Sequence, residues 1–352
     1  MKKKILASIF AGLMALNILG GVDNAQAATR AEIAAINVQR PADFKYWSDK
    51  SLVKRQIINY VKDVTNPRSK NFIPVEDRIA VFDMDGTILC ETAPTSFGCM
   101  FALYTILEDP TPTITEEYRA KAKIWQDDLL TKGEIDKEFH DYTWNFCEGM
   151  TDEDFKAHMK KFMTQNVIGL TNLKYGEGFY LPMVEIISYL NANDFTVYIV
   201  TGSGRDFSRV LLDGAVDVKT NHVIGGDIPY TFENNVGEKY YVKGDRILMG
   251  KGHANNTHTN KIFSIKREIG KQPVLAFGNS SGDNDVLNYT IVDNKYKSVA
   301  FVLLCDDFTR EIGNRELADK MRDAAQKNGW TTISMKDDFK TIYGDNVKLS
   351  KK

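Results

Sequence analysis

The sequence predicts an α/β fold in which a mainly parallel sheet is covered by helices on both faces and carries an inserted helical segment. Three observations lead to this prediction. Short apolar runs alternate with helical patterns along most of the 352 residues, as expected when helices connect parallel strands. Three of these runs end in polar segments that contain glycine. Between the first and the second, residues 93–175 show little strand character, which indicates an insertion.

The N-terminal segment, residues 1–27, has the features of a secretory signal peptide. A basic start at residues 1–4 precedes an apolar run over residues 5–20, and Ala25-Gln26-Ala27 forms a small-x-small site. The run is shorter than the roughly 20 apolar residues that a membrane span needs. We therefore predict cleavage after Ala27 and export of a soluble protein, periplasmic or extracellular, without a stable membrane anchor.

The next segment, residues 28–76, is a predicted N-terminal arm with one helix, which ends at Asn66-Pro67. Its apolar residues recur at helical spacing, and they are Leu52, Ile57, Tyr60, Val61 and Val64. Residues 77–92 and 176–352 form the predicted α/β core, and residues 93–175 the helical insertion. Within the insertion, Thr113-x-x-Glu116 and Thr151-x-x-Asp154 resemble the capping boxes that begin helices.

The core elements follow from apolar runs bounded by turn residues. Predicted strands cover residues 79–82, 195–202, 273–279, 298–305 and 331–335, and predicted helices lie near 260–269 and 315–328. Alternation with turn signals over residues 222–242 predicts a β-hairpin.

The composition excludes some classes of function. The net charge is −2 and no basic stripe with interleaved aromatic residues occurs, so nucleic-acid binding is not expected. The four cysteines lack the CxxC spacing that is typical of zinc sites. Export would permit a disulfide between Cys90 and Cys99, but the sequence does not decide the pairing.

Polar residues at three strand ends form the candidate site. They are Asp83 and Asp85, then the segment 201–204, then the segment 278–285. Because the carboxyl ends of parallel strands meet at one edge of the sheet, these side chains are expected to converge. Two carboxylates ~4 Å apart repel by about 4 kcal/mol at an effective dielectric of about 20. The predicted cluster therefore requires cations, and its oxygen donors suit Mg²⁺.

A lysine is the second expected cation. Lys251, Lys261 and Lys266 precede the third polar strand end. Lys261 lies at the N-terminus of the predicted helix, and this end faces the carboxyl edge of the sheet. Lys266 lies more than a turn further on, so Lys261 is preferred.

A divalent cation, a lysine, a hydroxyl and a helix N-terminus together suit a phosphoryl group. One carboxylate can then be a nucleophile and the other a proton donor and acceptor.

These motifs resemble those of the haloacid dehalogenase superfamily. "DMDGT", residues 83–87, resembles its first motif, Thr201 its second, Lys261 its third and residues 278–285 its fourth. The similarity extends to secreted phosphatases of the phosphoserine-phosphatase-like branch, through "TGSGRDF" and the closing "GWTTISMKDDF". The resemblance implies a Rossmann-like three-layer core with a C1-type helical cap. Dehalogenase members lack the second aspartate, so Asp85 indicates phosphate chemistry.

The resemblance also implies residue roles. Asp83 would be the nucleophile, Asp85 the general acid and base, Thr201 a phosphoryl-binding residue and Lys261 the neutralising cation. Magnesium would be held by the Asp83 carboxylate, the Asp85 main-chain carbonyl, Asn279 and Asp283. Many members have aspartate where this chain has Asn279, so Asp283 is expected to ligate or support the metal. The remaining substrate and phosphate candidates are Gly86, Thr87, Gly202 and Glu91. Glu91 is equally well explained as a solvated or salt-bridged residue, and the role of Asp285 stays open.

The insertion contains a group of aromatic residues, Trp125, Phe139, Tyr142, Trp144 and Phe146. Phe139, Tyr142 and Phe146 share one helix face, which favours packing inside the cap over substrate contact. An aromatic cage for a cationic head group such as choline is suggested by similarity to related secreted phosphatases.

The predicted function is an exported Mg²⁺-dependent phosphomonoesterase that acts on a small phosphate ester. A phosphotransferase with the same aspartyl-phosphate is the first alternative. An exported protein that binds a phosphate ligand without turnover is the second.

Overall fold

The computed structural model describes residues 27–91, 94–110, 114–133, 137–234 and 241–350. The predicted signal peptide, apart from Ala27, lies outside these residues. In the described part of the chain, no helix is long and apolar enough to cross a membrane.

A six-stranded sheet forms the centre of the molecule, in the order β4-β3-β1-β7-β8-β9. All five neighbouring pairs in it are parallel. The strands in the described ranges are β1 (Ile79–Phe82), β2 (Leu170–Thr171), β3 (Thr196–Gly204), β4 (Val223–Gly226), β5 (Tyr230–Phe232), β6 (Ile247–Met249), β7 (Leu275–Gly278), β8 (Val299–Leu304), β9 (Thr331–Ser334) and β10 (Lys348–Leu349). The predicted α/β fold with a mainly parallel sheet is confirmed.

Twelve α-helices lie in the described chain. They are α1 (Arg30–Ala34), α2 (Leu52–Thr65), α3 (Phe97–Leu107), α4 (Glu116–Lys132), α5 (Lys137–Tyr142), α6 (Asp152–Met163), α7 (Leu181–Asn191), α8 (Arg205–Leu212), α9 (Thr259–Ser264), α10 (Asn284–Ile291), α11 (Arg315–Asn328) and α12 (Met335–Asp338). A π-helical turn, Ile265–Ile269, continues α9. Helices α3 to α6 lie in the chain between β1 and β3, and we call them the helical insertion.

Three phenylalanines set the register at the centre of the sheet. Phe82 of β1 pairs with Phe277 of β7, which pairs with Phe301 of β8. Their rings stack with centroids 4.2 and 4.9 Å apart. Such side-chain pairs between neighbouring strands stabilise a sheet and fix its register. The residues that follow Phe82 and Phe277 therefore emerge side by side at the carboxyl edge.

Three sequence predictions about local structure need correction, and the pairing of the cysteines, which the sequence left open, can be described. The hairpin over residues 222–242 does not form as predicted, because β4 joins the main sheet and β5 pairs with β6 further along the chain. Leu52 is 74% exposed, whereas Val53 is buried, so the apolar stripe of α2 begins one residue later. Helix α4 is capped by Thr115, and Thr113 lies outside the described residues. No disulfide joins Cys90 to Cys99 in this structure.

Candidate active site

A cavity of about 290 Å³ lies at the carboxyl edge of the sheet, between the ends of β1, β3 and β7 and the helical insertion. The sheet side of its wall includes Asp83, Asp85, Glu91, Thr201, Gly202, Ser203, Lys261, Asn279 and Asp283. The insertion side includes Ser96, Gly98, Cys99, His140, Thr143 and Trp144. The predicted convergence of three strand ends is thus present in the structure.

Lys261 connects two of these strand ends. Its Nζ donates to Asp83 Oδ1 at 2.6 Å and to Asp283 Oδ1 at 2.7 Å. All three side chains are buried. Lys261 is the third residue of α9, whose N-terminus faces the sheet edge, and the His258 N–H donates to the Gly282 carbonyl just before it. Lys266, by contrast, is exposed to solvent.

The environment of Asp83 disfavours its charge. Burial raises the pKa of Asp83 well above its ordinary value, repulsion from Asp283 adds to the rise, and Lys261 opposes it. For Lys261, burial lowers the pKa, but attraction to Asp283 and Asp83 outweighs burial and the net pKa is raised. The lysine therefore stays charged, and two carboxylates share one ammonium.

Asp85 has different partners, although it lies two residues from Asp83. Its Oδ2 accepts a hydrogen bond of 2.6 Å from the Ser203 hydroxyl. Its Oδ1 is buried and has no hydrogen-bond partner among the described residues. Burial raises the pKa of Asp85, and the Ser203 hydrogen bond partly offsets the rise. A buried carboxyl that readily holds a proton suits a general acid.

The loop after β7 is folded around Asp283. Asp283 Oδ2 accepts from the main-chain N–H groups of Asn279 and Ser280, at 3.1 and 3.2 Å. Asn279 Nδ2 donates to Glu91 Oε2 at 2.8 Å, which leaves the Asn279 amide oxygen available to another group. Burial raises the pKa of Glu91 to about 7, and repulsion from Asp85 adds to this effect. Glu91 thus contacts a candidate metal ligand and also lines the cavity.

The turn after Asp85 requires glycine at position 86. Gly86 has a φ of +73°, and a Cβ there would lie 1.8 Å from Asn279 Nδ2 and 2.4 Å from Glu91 Oε2. Thr87 is fully buried, and its hydroxyl donates to Asp83 Oδ2 at 3.4 Å. Neither Gly86 nor Thr87 is among the residues that line the cavity. In this structure they shape the turn and support Asp83.

Thr201 and Gly202 line the cavity from β3. The Thr201 hydroxyl accepts from the Ser203 N–H at 3.0 Å, and its carbonyl accepts from Asn256 Nδ2 at 2.9 Å. A Cβ at Gly202 would lie 2.7 Å from Thr257 Cγ2, so the loop before α9 packs directly on this glycine. The lysine-bearing helix and the β3 strand end are therefore held together.

Several predicted candidates lie outside the cavity wall. Asp285, in the first turn of α10, accepts from the Thr259 hydroxyl at 2.9 Å and joins α10 to α9. Of the five aromatic residues predicted for the insertion, Trp144 alone lines the cavity. Its ring stacks on His253 with centroids 4.3 Å apart. The other four pack within the insertion, as the contacts Trp125–Phe139, Tyr118–Tyr142 and Phe101–Phe146 show.

Sequence reasoning did not assign roles to Ser203 and Asn256. Ser203 lies within the polar strand end 201–204, so the signal was present, but its contact with Asp85 depends on how β3 ends. Asn256 lies in a loop without a recognisable motif. Its side chain connects the Thr201 carbonyl to the Ser264 hydroxyl of α9.

The donor set suits magnesium by chemical type. Two carboxylates, the Asn279 amide oxygen and the Asp85 main-chain carbonyl are hard oxygen donors, which Mg²⁺ prefers. The two carboxylates, from Asp83 and Asp283, already lie on either side of one ammonium group. No cluster of three or more His, Cys, Asp or Glu side chains within the described ranges has the arrangement of a metal site. A cation here would thus rely on the amide and carbonyl oxygens as well.

Residues 80–288, more than half of the chain, match the model of the haloacid dehalogenase-like hydrolase family. No curated protein matches. Among solved structures, a conserved functionally unknown protein from Anaerococcus prevotii has a TM-score of 0.49 and 15% identity, covering 80% of this chain and 91% of that chain. A protein of unknown function from Bordetella pertussis has a TM-score of 0.47 and 16% identity, covering 73% and 97%.

A third solved structure, cytosolic 5'-nucleotidase IIIB bound to cytidine, has a TM-score of 0.43 and 12% identity, covering 82% of this chain and 86% of that chain. The family match spans all the strand ends that form the cavity, from β1 to the first turns of α10. The chain belongs to the haloacid dehalogenase-like hydrolase family.

Proposed function

We propose that the protein is an exported, magnesium-dependent phosphomonoester hydrolase that forms an aspartyl-phosphate on Asp83. The observation that carries this proposal is the buried Lys261 ammonium between the Asp83 and Asp283 carboxylates, at 2.6 and 2.7 Å. A fixed positive charge beside a buried carboxylate stabilises the negative charge that develops during phosphoryl transfer. Asp85 supplies a second carboxyl group with different partners, as a two-step transfer requires.

In the first step, an Asp83 oxygen attacks phosphorus and the bond from phosphorus to the leaving oxygen breaks. Asp85 gives its proton to that oxygen, so that a neutral alcohol departs. In the second step, water attacks the phosphorus of the acyl phosphate, and Asp85 takes a proton from the water. Inorganic phosphate is released and the Asp83 carboxylate is restored. Lys261 and Thr201 would hold the phosphoryl oxygens through both steps.

Asp83, the Asp85 carbonyl, Asn279 and Asp283 would hold magnesium. When bound, the ion would supply positive charge against the phosphoryl oxygens. The charge at the site supports a requirement for magnesium. The described cavity wall contains one lysine and four carboxyl side chains, those of Asp83, Asp85, Glu91 and Asp283. A phosphate dianion would add to this excess of negative charge.

The cavity also limits the substrate. Its volume of about 290 Å³ suits a small molecule. Lys261, the one lysine or arginine among the described lining residues, is already paired with two carboxylates. A second anionic group on the substrate would therefore have no further lysine or arginine of the described wall to pair with, and we propose a neutral or cationic alcohol as leaving group. Trp144 and Phe207 are the aromatic rings in the wall, so a cage for a cation would have to use these two.

Export, the secreted branch of the family, the C1-type cap and the domain bounds of 1–27, 28–76, 77–92, 93–175 and 176–352 remain part of this proposal. Cleavage after Ala27 would place the new N-terminus at Ala28, whose N–H donates to the Tyr343 carbonyl at 3.0 Å. N-terminal sequencing of protein from the exported fraction should therefore begin at Ala28. Recovery of the full-length chain with the cells would contradict export.

The hydrolase is tested by measuring phosphate release from a panel of small alkyl and aryl phosphates, with magnesium and with EDTA. We expect activity with magnesium only, and a loss of at least about 10³-fold in Asp83→Asn, because removing a nucleophile abolishes both steps. Asp323→Asn, a matched change on the exposed face of α11, should keep full activity. Magnesium-independent turnover or an active Asp83→Asn variant would contradict the mechanism.

Two further outcomes separate the alternatives. Formation of glycerol phosphate when glycerol is added would identify a phosphotransferase with the same intermediate. Saturable binding of phosphate esters without turnover would instead favour a binding protein.

A further inference from the structure

We propose that Ser203 is a positioning residue that holds the Asp85 carboxyl group so that Oδ1 exchanges the proton with the leaving oxygen. This inference rests on the proposed phosphatase function and concerns the same site. Ser203 does not contact Asp83, Lys261 or Asp283 by any hydrogen bond in the described structure. Its effect would therefore be confined to the acid–base step.

The first observation is the way in which Ser203 itself is fixed. The pairing of β3 with β4 shifts register between Val200 and Gly204, and Ser203 lies within this irregularity. Bulges of this kind redirect a side chain near an active site. The Ser203 N–H donates to the Thr201 hydroxyl at 3.0 Å. On the other side, a Cβ at Gly225 would lie 2.7 Å from the Ser203 carbonyl oxygen, so β4 packs closely against this backbone.

The second observation is the asymmetry of the Asp85 carboxyl group. Oδ2 accepts the 2.6 Å hydrogen bond from Ser203. Oδ1 is buried and has no partner among the described residues. A buried carboxyl oxygen without a partner is costly, and Asp85 belongs to the cavity wall. Main-chain N–H groups of Phe97 and Asp85 also favour the charged carboxyl. Because the Asp85 side chain belongs to the cavity wall, we infer that the leaving oxygen of a bound substrate, which needs a proton, is the partner of Oδ1 during the reaction.

If Ser203 positions Asp85, the loss of activity on removing the Ser203 hydroxyl should depend on the leaving group of the substrate. The proton passes from Asp85 Oδ1 to the leaving oxygen as the bond from phosphorus to that oxygen breaks. An alkoxide is a strong base and cannot leave without this proton, whereas 4-nitrophenolate is a weak base and can. Removing the Ser203 hydroxyl lets the Asp85 carboxyl rotate. The loss of kcat/KM should therefore be large for an alkyl phosphate and small for 4-nitrophenyl phosphate.

The test compares kcat/KM for ethyl phosphate and 4-nitrophenyl phosphate in Ser203→Ala, since this ratio reports the steps up to departure of the alcohol. We expect a loss of at least about tenfold for ethyl phosphate, part of the 10²–10⁴-fold that a general acid contributes, and less than about threefold for 4-nitrophenyl phosphate. Ser203→Thr, which keeps the hydroxyl, should restore the ethyl phosphate rate. Ser208→Ala is a matched control, because the Ser208 hydroxyl donates to the Gly204 carbonyl and does not contact Asp85.

A double-mutant cycle adds a second readout that a merely structural role would not produce. If Ser203 acts through Asp85, then Ser203→Ala combined with Asp85→Asn should be no slower on ethyl phosphate than Asp85→Asn alone. An equal loss on both substrates, or multiplicative losses in the double variant, would overturn the role of Ser203 while leaving the phosphatase proposal intact. A wild-type protein without activity on either ester would overturn the phosphatase proposal, and the role of Ser203 with it.

Discussion

The sheet edge and the helical insertion form opposite walls of one cavity, and they are stabilised by different interactions. At the sheet edge, Lys261 is buried between Asp83 and Asp283. In the insertion, aromatic rings pack on one another, as in Phe101–Phe162 with centroids 5.3 Å apart. Losing one partner of a buried charge pair leaves an unpaired charge, whereas losing part of a ring leaves a small void. Substitutions at the edge should therefore affect chemistry most, and substitutions in the insertion should affect stability or substrate affinity.

Among the substitutions that compare the sheet edge with the insertion, the largest effect is expected for Lys261→Met. It leaves Asp83 and Asp283 buried without their cation, so activity should fall at least about 100-fold, the loss typical of a missing electrostatic stabiliser. Stability should fall by roughly 3–5 kcal/mol, because a buried pair is broken. Phosphate release and urea unfolding measure the two effects. Lys266→Met is the matched control on the exposed face of the same helical segment. Equal losses of activity and stability in both variants would refute a special role for the buried Lys261.

A pair of glycine substitutions compares the sheet edge with the helical insertion directly. Gly86 at the sheet edge and Gly133 at the end of α4 have φ values of +73° and +71°. Alanine at either position pays the same backbone strain, roughly 1–2 kcal/mol. At Gly86 the new Cβ also meets Asn279 Nδ2 and Glu91 Oε2, whereas nothing lies within 4 Å at Gly133.

Gly86→Ala should therefore lose activity at least about tenfold and lose more stability than Gly133→Ala, since overpacking adds about 1–3 kcal/mol. Gly133→Ala should keep its rate. Unfolding curves and phosphate release for both variants check this difference. Indistinguishable variants would show that the contact with Asn279 and Glu91 is not functionally important.

A second pair of substitutions compares two aromatic residues of the insertion, one enclosed and one lining the cavity. Phe139 is 1% exposed and packs on Trp125, whereas Trp144 lines the cavity. Phe139→Leu should lower the free energy of unfolding by about 1–2 kcal/mol and leave KM unchanged. Trp144→Leu should raise KM by about tenfold, the low end for a lost apolar contact in a pocket. Steady-state kinetics and urea unfolding distinguish them, and an unchanged KM in Trp144→Leu would exclude substrate contact by the indole.

The smallest effect is expected for Asp285→Asn. Asp285 lies outside the cavity and joins α10 to α9 through the Thr259 hydroxyl. The variant keeps a hydrogen-bond acceptor, so stability should change by less than about 1 kcal/mol and the rate by less than about twofold. A large loss of magnesium affinity in calorimetry would instead make Asp285 a metal ligand.

The sequence predicted the sheet edge well because strand direction determines it. An apolar run that ends in polar residues, three times in one parallel sheet, brings Asp83, Thr201 and Asp283 to one place. The direction of the helix before β7 selected Lys261 over Lys266. These inferences need only the order of the elements and not their side-chain packing.

Features that depend on register or helix phase were not predictable in the same way. The contact between Ser203 and Asp85 depends on an irregularity between β3 and β4. Helical spacing groups the aromatic residues of the insertion, but it does not reveal that Trp144 faces the cavity while Phe139 is enclosed. The hairpin prediction was wrong because the apolar run at Val223–Gly226 extends the main sheet, and local turn signals do not exclude that partner.

The central claim is that Asp83 carries the phosphoryl group during turnover. The most direct test is an acid quench of the protein during hydrolysis of 4-nitrophenyl phosphate with magnesium, followed by peptide mass spectrometry. Asp85→Asn should increase the trapped amount, because it lacks the base for the second step. We predict one phosphoryl group, on the peptide that contains Asp83, and none in Asp83→Asn. A phosphoryl group on another residue, or turnover in Asp83→Asn at the wild-type rate, would contradict the account.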